Sequence, residues 1–190
     1  MNFVVIYGSV RTGRQGIKVA RFIDAQIRSR GHTTALIDPM IYRLPLLDRM
    51  YKEYAGDAPA PLRELAELYR KADGFVIVSG EYNHGIPPAL KNLLDHFLEE
   101  YFWRPSAIVC YSAGGFGGVR AAMQLRMTLS ELGMPSIPSL LPFGRIGSAF
   151  LEDGTPQDPS AAASSTARFL DELEWYARAL QVERSKGTPY

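Results

Sequence analysis

Three apolar runs in this chain of 190 residues break directly into short loops of glycines and small hydrogen-bonding residues, at Gly8 to Gly16, Gly80 to Gly85 and Ser112 to Gly118. In a parallel α/β sheet the loops leaving the carboxyl ends of neighbouring strands converge on one crevice, and nucleotides and flavins bind there. The spacing of the loops therefore constrains the fold and points to one shared ligand.

The first loop reads Gly8-Ser9-Val10-Arg11-Thr12-Gly13-Arg14-Gln15-Gly16, between a strand-like Phe3 to Tyr7 and a helix-like stretch from Gly16 to Ser29. Backbone N–H groups at a helix N-terminus, the Ser9 hydroxyl and guanidinium groups all donate hydrogen bonds, and the helix dipole favours an anion there. A phosphate suits this chemistry. The Walker pattern is excluded, because Arg14 and Gln15 stand where its Lys and its magnesium-holding hydroxyl belong. The dinucleotide fingerprint fails as well, since the glycines fall at Gly8, Gly13 and Gly16. Asp38, at the end of the second strand, nevertheless keeps a Rossmann dehydrogenase open as an alternative. A plain capped helix start is another, although an ordinary connection between strand and helix does not call for two arginines.

The second loop, Gly80-Glu81-Tyr82-Asn83-His84-Gly85, follows Phe75 to Ser79 and precedes a segment in which Ile86, Leu90, Leu93, Leu94 and Phe97 recur at helical spacing. The third, Ser112-Ala113-Gly114-Gly115-Phe116-Gly117-Gly118, follows Ala107 to Tyr111 and opens a helix near Val119. Its glycines let the backbone approach a flat ring closely. Along the chain, strands are expected at Phe3 to Tyr7, Thr34 to Ile37, Gly74 to Ser79, Ala107 to Tyr111 and Ser136 to Leu141. Helices are expected at Gly16 to Ser29, Ala60 to Ala72, Pro87 to Glu99, Val119 to Leu132 and Pro159 to Val182, the last with Asp158 as N-cap. This alternation implies an α/β fold with a parallel sheet covered on both faces. No repeat or linker divides the chain, so residues 1–190 are expected to form a single domain, with 185–190 a frayed tail.

Together the three segments resemble the NADPH-dependent FMN reductase family, flavodoxin-like flavoproteins that include quinone, azo-dye and metal-oxyanion reductases. The resemblance is carried by Gly-Ser-Val-Arg-Thr-Gly-Arg at 8–14, Glu-Tyr-Asn-His-Gly-Ile-Pro at 81–87 with Leu-Lys-Asn-Leu-Leu-Asp at 90–95, and Ser-Ala-Gly-Gly-Phe-Gly-Gly at 112–118. Weaker echoes lie at Leu44 to Asp48 and Phe150 to Gly154, and the likeness spans about residues 1–180. It implies a flavodoxin-like three-layer sandwich with a five-stranded parallel sheet in the order 2-1-3-4-5.

Carried over by position, the resemblance makes Ser9, Arg11, Gln15 and the loop backbone up to Gly16 the holders of an FMN phosphate. Arg14 is left between that phosphate and the additional phosphate of NADPH, because another branch of the family has Ser there. Glu81, Tyr82, Asn83 and His84 would run along the flavin edge, and Ser112, Gly114 and Gly115 would line the ribityl chain and pyrimidine end. Gly80 departs from the proline common in the family, and His84 reads equally well as a solvent-facing loop residue.

The remaining features mostly exclude. With 21 Lys and Arg against 20 Asp and Glu, the chain carries no electrostatic footprint for nucleic acid or an anionic membrane. No apolar stretch approaches a membrane span, and Met1-Asn2 leads into a strand with no basic leader, so an unprocessed protein is expected. Cys110 is the single cysteine, in an apolar strand where thiols are ordinarily core, which fits the cytoplasm. Ser112 lacks the glycine that a nucleophile elbow has two positions earlier. His32, His84 and His96 are scattered, and no metal site is expected. The long stretch from Asp38 to Pro59 is expected to wall part of the substrate site. Tyr101-Phe102-Trp103 suggests an interface, with an ordinary core role as the alternative; as in the family, the chain is expected to be a homodimer or a dimer of dimers.

The function implied by the resemblance is an FMN-dependent oxidoreductase that takes hydride from NADPH, or NADH, onto flavin N5 and passes electrons to a quinone, azo compound, free flavin or oxyanion. The two arginines tilt the choice toward the phosphorylated nicotinamide. No acid-base residue is required, because the flavin carries the chemistry. The alternative is a flavodoxin-like electron carrier, or an FMN-bearing interaction protein without nicotinamide turnover.

Overall fold

Strands β1 (Asn2–Tyr7), β2 (Thr33–Ile37), β3 (Gly74–Gly80), β4 (Ser106–Tyr111) and β5 (Ser136–Phe143) form one sheet in the order β2-β1-β3-β4-β5, every pair parallel. The computed structural model describes all residues from Met1 to Tyr190. Six helices accompany the sheet: α1 (Gly16–Ser29), α2 (Ala60–Arg70), α3 (Pro88–Asp95), α4 (Val119–Glu131), the short α5 (Ile146–Ala149) and α6 (Pro159–Arg184). The expected flavodoxin-like order is the one observed.

Every residue of β3 and β4 is buried, which is why these segments read as unbroken apolar runs. Successive side chains on a strand point to opposite faces, so each central strand feeds two cores. Val4, Ile6 and Ile77 join Leu62 and Leu65 of α2, Leu90 and Leu94 of α3, and Leu125 and Leu129 of α4 on one face. Val5, Val76 and Val78 join Val19 and Ile23 of α1 with Phe169 and Leu173 of α6 on the other. Two cores back to back on one sheet are the three-layer sandwich. Cys110 lies in the first core, and burial pushes its thiol up to about 12.

Most strand and helix ends lie within one residue of expectation; β5 runs on to Phe143 rather than Leu141, and three helix ends differ by two residues or more. α2 stops at Arg70 rather than Ala72. The third helix ends at Asp95 instead of Glu99, and a separate 3-10 turn covers Glu99–Tyr101. The break has a cause in hydrogen bonding: the carbonyl of His96 accepts the N–H of Tyr51 from the long loop at 2.7 Å, and Leu98 has left helical geometry. α6 continues past Val182 to Arg184, and Asp158 caps its start by accepting the Ala161 N–H at 3.1 Å.

The aromatic cluster is divided. Tyr101 is core, packed against Tyr69, Phe75 and Phe97, so it presents nothing to a second subunit. Phe102 and Trp103 are partly buried and meet the ring of Tyr190 edge-on at 5.7 and 4.9 Å.

The long loop is pinned onto α3. The Asn92 amide donates to the Pro45 carbonyl at 2.8 Å and accepts the Leu47 N–H at 2.9 Å. Tyr42, Leu44, Tyr51 and Tyr54 pack against the first core and anchor the loop, whose one regular element is a 3-10 turn at Tyr51–Tyr54.

Candidate functional site

At the carboxyl ends of β1, β3 and β4 all three glycine-containing loops meet around a cavity of about 290 Å³. Ser9, Arg11, Thr12, Gly13, Arg14 and Gln15 line it from the first loop. Gly80, Glu81 and Tyr82 contribute from the second loop, and Tyr111, Ser112 and Ala113 from the third strand-to-helix junction, with Ile146 closing the side.

The first loop presents the donors that an anion would need. α1 begins without a side-chain cap, and none of the backbone N–H groups from Thr12 to Ile17 finds an acceptor within the protein. These donors sit at the positive end of the helix dipole. The Ser9 hydroxyl shares a hydrogen bond of 2.8 Å with the Tyr82 hydroxyl, tying the first loop to the second. Arg11 lies 5.7 Å from the centre of the Tyr82 ring and makes no ion pair, so its charge is unmatched.

Arg14 is a different case. Its guanidinium is held by both oxygens of Asp38 at 2.5 and 2.6 Å, donates to the Ser9 carbonyl at 3.1 Å, and lies 5.3 Å from the centre of the Tyr7 ring. The hydrogen bond to Asp38, outweighing the opposing effect of burial, raises the Arg14 pKa. Asp38 is therefore engaged by Arg14 and the Met40 N–H, not free for a ribose, which removes the feature that kept the dehydrogenase alternative open.

The second loop turns tightly. Tyr82 and Gly85 exchange backbone hydrogen bonds of 3.0 and 2.9 Å, while Asn83 and His84 occupy the left-handed region at φ 49° and 66°. Two consecutive residues there make a mirror-image turn, and Asn and His are both among the non-glycine residues enriched in that region. Asn83 and His84 form its tip and are not in the cavity wall. Glu81 is in the wall, yet its carboxylate accepts the N–H groups of Arg120 and Ala121 at 3.0 and 3.2 Å and pairs with the Arg120 guanidinium at 3.4 Å. The N-cap of α4 is Gly118, which has no side chain to offer, so Glu81 caps that helix from another loop.

In the third loop Gly118 adopts φ 80°, and a Cβ there would stand 2.6 Å from the Tyr111 carbonyl oxygen. Only glycine fits. Ser112 donates its hydroxyl to the Gly114 carbonyl at 3.0 Å. Gly114 and Gly115 are exposed, outside the cavity wall, and an added Cβ at either meets nothing within 4 Å. Gly16 is buried behind the wall, where its missing side chain makes room for Tyr111.

A match to the family described as NADPH-dependent FMN reductase covers residues 1–146. The chain belongs to that family. Among its relatives, a quinone reductase of Escherichia coli is 35% identical over 133 residues, 68% of this chain and 69% of that one. An NADPH azoreductase of a Bacillus species is 32% identical over 139 residues, 73% of this chain and 74% of its own. In fold, the chain is similar to the flavoenzyme NAD(P)H:(acceptor) oxidoreductase FerB of Paracoccus denitrificans, with a TM-score of 0.76, 21% identity and coverage of 93% and 97% of the two chains.

The residues present fit the cofactor that names the NADPH-dependent FMN reductases. A run of unpartnered N–H donors beside the Ser9 hydroxyl and an unmatched guanidinium suits the phosphate. A cavity reached by two further loops suits the flat ring. Two lining residues are absent from the sequence reading: Ile146, on the short α5, and Tyr111, 8% exposed, whose place in an apolar strand makes it look like core. For Tyr111 the available signal was its position directly before the third loop. The loop from Asp38 to Pro59 supplies none of this wall; Pro39, Tyr42, Leu44 and Leu46 instead form a neighbouring apolar groove of about 310 Å³ with Val10 and α3. No helix is long and apolar enough to cross a membrane, and no group of three His, Cys, Asp or Glu side chains is placed to hold a metal.

Proposed function

We propose that this chain is an FMN-dependent oxidoreductase that takes hydride from NADPH, with NADH as a second donor, and passes electrons to a small acceptor of the quinone or azo class. The observation that carries the reading is the row of free N–H donors from Thr12 to Ile17 beside Ser9 and Arg11, at the mouth of a cavity shared by three loops. In this reading those donors and Arg11 bind the flavin phosphate. Bound FMN supplies the redox chemistry at its ring. Tyr82 flanks the ring, its hydroxyl oriented by Ser9. Glu81 holds the second loop against α4 and so would fix the spacing of the second and third loops around a bound flavin. Backbone groups of Ser112 and Ala113 complete the pyrimidine end, where donors stabilise the negative charge of the reduced ring. Asn83, His84, Gly114 and Gly115 serve as loop geometry around these contacts.

The names of the quinone reductase and azoreductase relatives support the acceptor class. A homodimer or dimer of dimers belongs to the same proposal. Its support comes from the exposed side chains of Ile41, Leu46 and Leu47 on the long loop rather than from Tyr101. A cytoplasmic location rests on the single buried thiol.

Mixing FMN-loaded protein with NADPH in the absence of oxygen tests the reading. Rapid loss of the visible flavin absorbance, restored by a quinone or azo dye, is the expected result. Tight FMN binding with no bleaching would instead establish an electron carrier.

A further inference from the structure

Tyr111 closes β4, and its phenol is wedged between the other two loops. A Cβ on Gly16 would lie 2.0 Å from its Cζ and 2.3 Å from its Oη; one on Gly80 would lie 3.1 Å from both atoms. Gly16 is the first residue of α1, so the Tyr111 hydroxyl stands over the helix end whose N–H groups have no acceptor. Within the protein that hydroxyl donates to Tyr7 Oη, at 3.4 Å, with the Ser9 side chain as its other polar neighbour. Ordinary hydroxyl hydrogen bonds are about 2.5 to 3.0 Å, so the contact is weak and the hydroxyl is free to turn toward a stronger acceptor. The side chain is 8% exposed and borders the cavity. Burial pushes its pKa upward, which keeps it a neutral donor at any working pH.

We propose that Tyr111 donates its hydroxyl to the flavin phosphate, making it a cofactor-binding residue alongside Ser9 and Arg11. The proposal rests on the FMN reading above. Its competitor is a purely steric role, in which the ring props the three loops apart and the hydroxyl is incidental. The two separate at the oxygen atom. Phenylalanine keeps the ring and removes only the donor, and riboflavin keeps the flavin ring and removes only the phosphate.

Binding of FMN and riboflavin to the apoprotein is measured by flavin fluorescence quenching for wild type, Tyr111→Phe and Tyr7→Phe. Circular dichroism and thermal melting of the apoproteins establish that each variant is folded. A hydrogen bond to a charged group predicts that Tyr111→Phe weakens FMN about tenfold and changes riboflavin by less than about twofold. Tyr7→Phe removes the neighbouring hydroxyl, which lies outside the cavity wall, and should leave the ratio of the two affinities at its wild-type value. An equal loss for both ligands in Tyr111→Phe, no loss for either, or the same selective loss in Tyr7→Phe overturns the assignment. If wild type itself binds FMN no better than riboflavin, the FMN-phosphate reading of the site fails, a result distinguishable from failure of the Tyr111 assignment alone.

Discussion

Both carboxylate oxygens of Asp38 hold the guanidinium of Arg14, joining the first loop to the carboxyl end of β2. Side chains here are largely buried, 18% exposed for Arg14 and 9% for Asp38, so the pair is better shielded than a surface ion pair. Its consequence for the site is a division of labour between two arginines that look equivalent in the sequence. Arg14 is matched in charge and positions the loop, while Arg11 is unmatched and remains available to an anion.

Arg11→Ala should therefore weaken FMN by on the order of tenfold to a hundredfold, the range for a charge-assisted hydrogen bond of about 1.5 to 3 kcal/mol. Riboflavin, which has no phosphate, should bind almost as before. Ser9→Ala should cost less, about 0.5 to 1.5 kcal/mol, because a neutral hydroxyl is a weaker partner. Titrations of both flavins against each folded variant check this; parallel losses for the two ligands would reassign Arg11 to propping the loop.

Asp38→Asn removes the charge that Arg14 faces while keeping the shape. It should destabilise the apoprotein by about 1 to 3 kcal/mol, the cost of leaving a shielded charged group poorly paired. Urea denaturation of the ligand-free protein measures it. An unchanged midpoint would mean that solvent already screens the pair.

The order of elements was legible in the sequence because β1, β3 and β4 are covered on both faces, and continuous apolar runs such as Phe75 to Val78 leave little ambiguity. The loops were legible because glycine and small polar residues interrupt those runs. The partners of side chains were not. Asp38 and Arg14 are 24 residues apart, and Glu81 and Arg120 are 39 apart; no periodicity links them. Tyr111 and Gly16 illustrate the same limit, since an aromatic residue ending an apolar strand has the pattern of core until the fold sets a glycine opposite it. The end of α3 was missed for a similar reason: helical spacing continues to Phe97, and a tertiary hydrogen bond from Tyr51 to the His96 carbonyl accompanies the break.

Glu81 serves α4 as a cap supplied from another loop. Glu81→Ala should lower apoprotein stability by about 1 to 2 kcal/mol, as loss of a helix cap does, and Glu81→Gln by less because one acceptor oxygen remains. Hydrogen exchange at the Arg120 and Ala121 amides should quicken in the Ala variant. Unaltered exchange at those two amides would show that the carboxylate does not cap the helix in solution.

Acid should act on the contact between α1 and α6. Glu174 receives Arg30 and lies 3.2 Å from His32, and although burial works against its charged form, the hydrogen bond and charge of Arg30 lower its pKa below the ordinary value of 4.5. A group depressed in the folded state contributes stability above its unfolded value and loses it as the pH falls through the folded value. Stability of wild type should therefore decline from near pH 4.5 downward, and Glu174→Gln should flatten that limb. Thermal melts of the two proteins across the acid range make the comparison, and identical slopes would remove Glu174 from the acid response.

Gly16→Ala tests the close approach on which the cavity floor depends. An alanine Cβ would fall 2.0 Å from Tyr111 Cζ, a distance no real contact tolerates, so either the ring or the start of α1 must move. The ring is the less free of the two, being stacked on Tyr7 at 6.5 Å and bounded by Gly80 on its other side. Overpacking of this kind costs about 1 to 3 kcal/mol. The same substitution made in a Tyr111→Ala background is relieved of that contact and should cost less than about 1 kcal/mol, because alanine is the better helix former. Residues in contact are expected to be non-additive, and a double-mutant cycle of urea unfolding should show a coupling of at least about 0.5 kcal/mol between the positions. Additive losses would mean that Tyr111 does not occupy the space above Gly16 in solution, and the floor of the cavity would have to be assigned to another side chain.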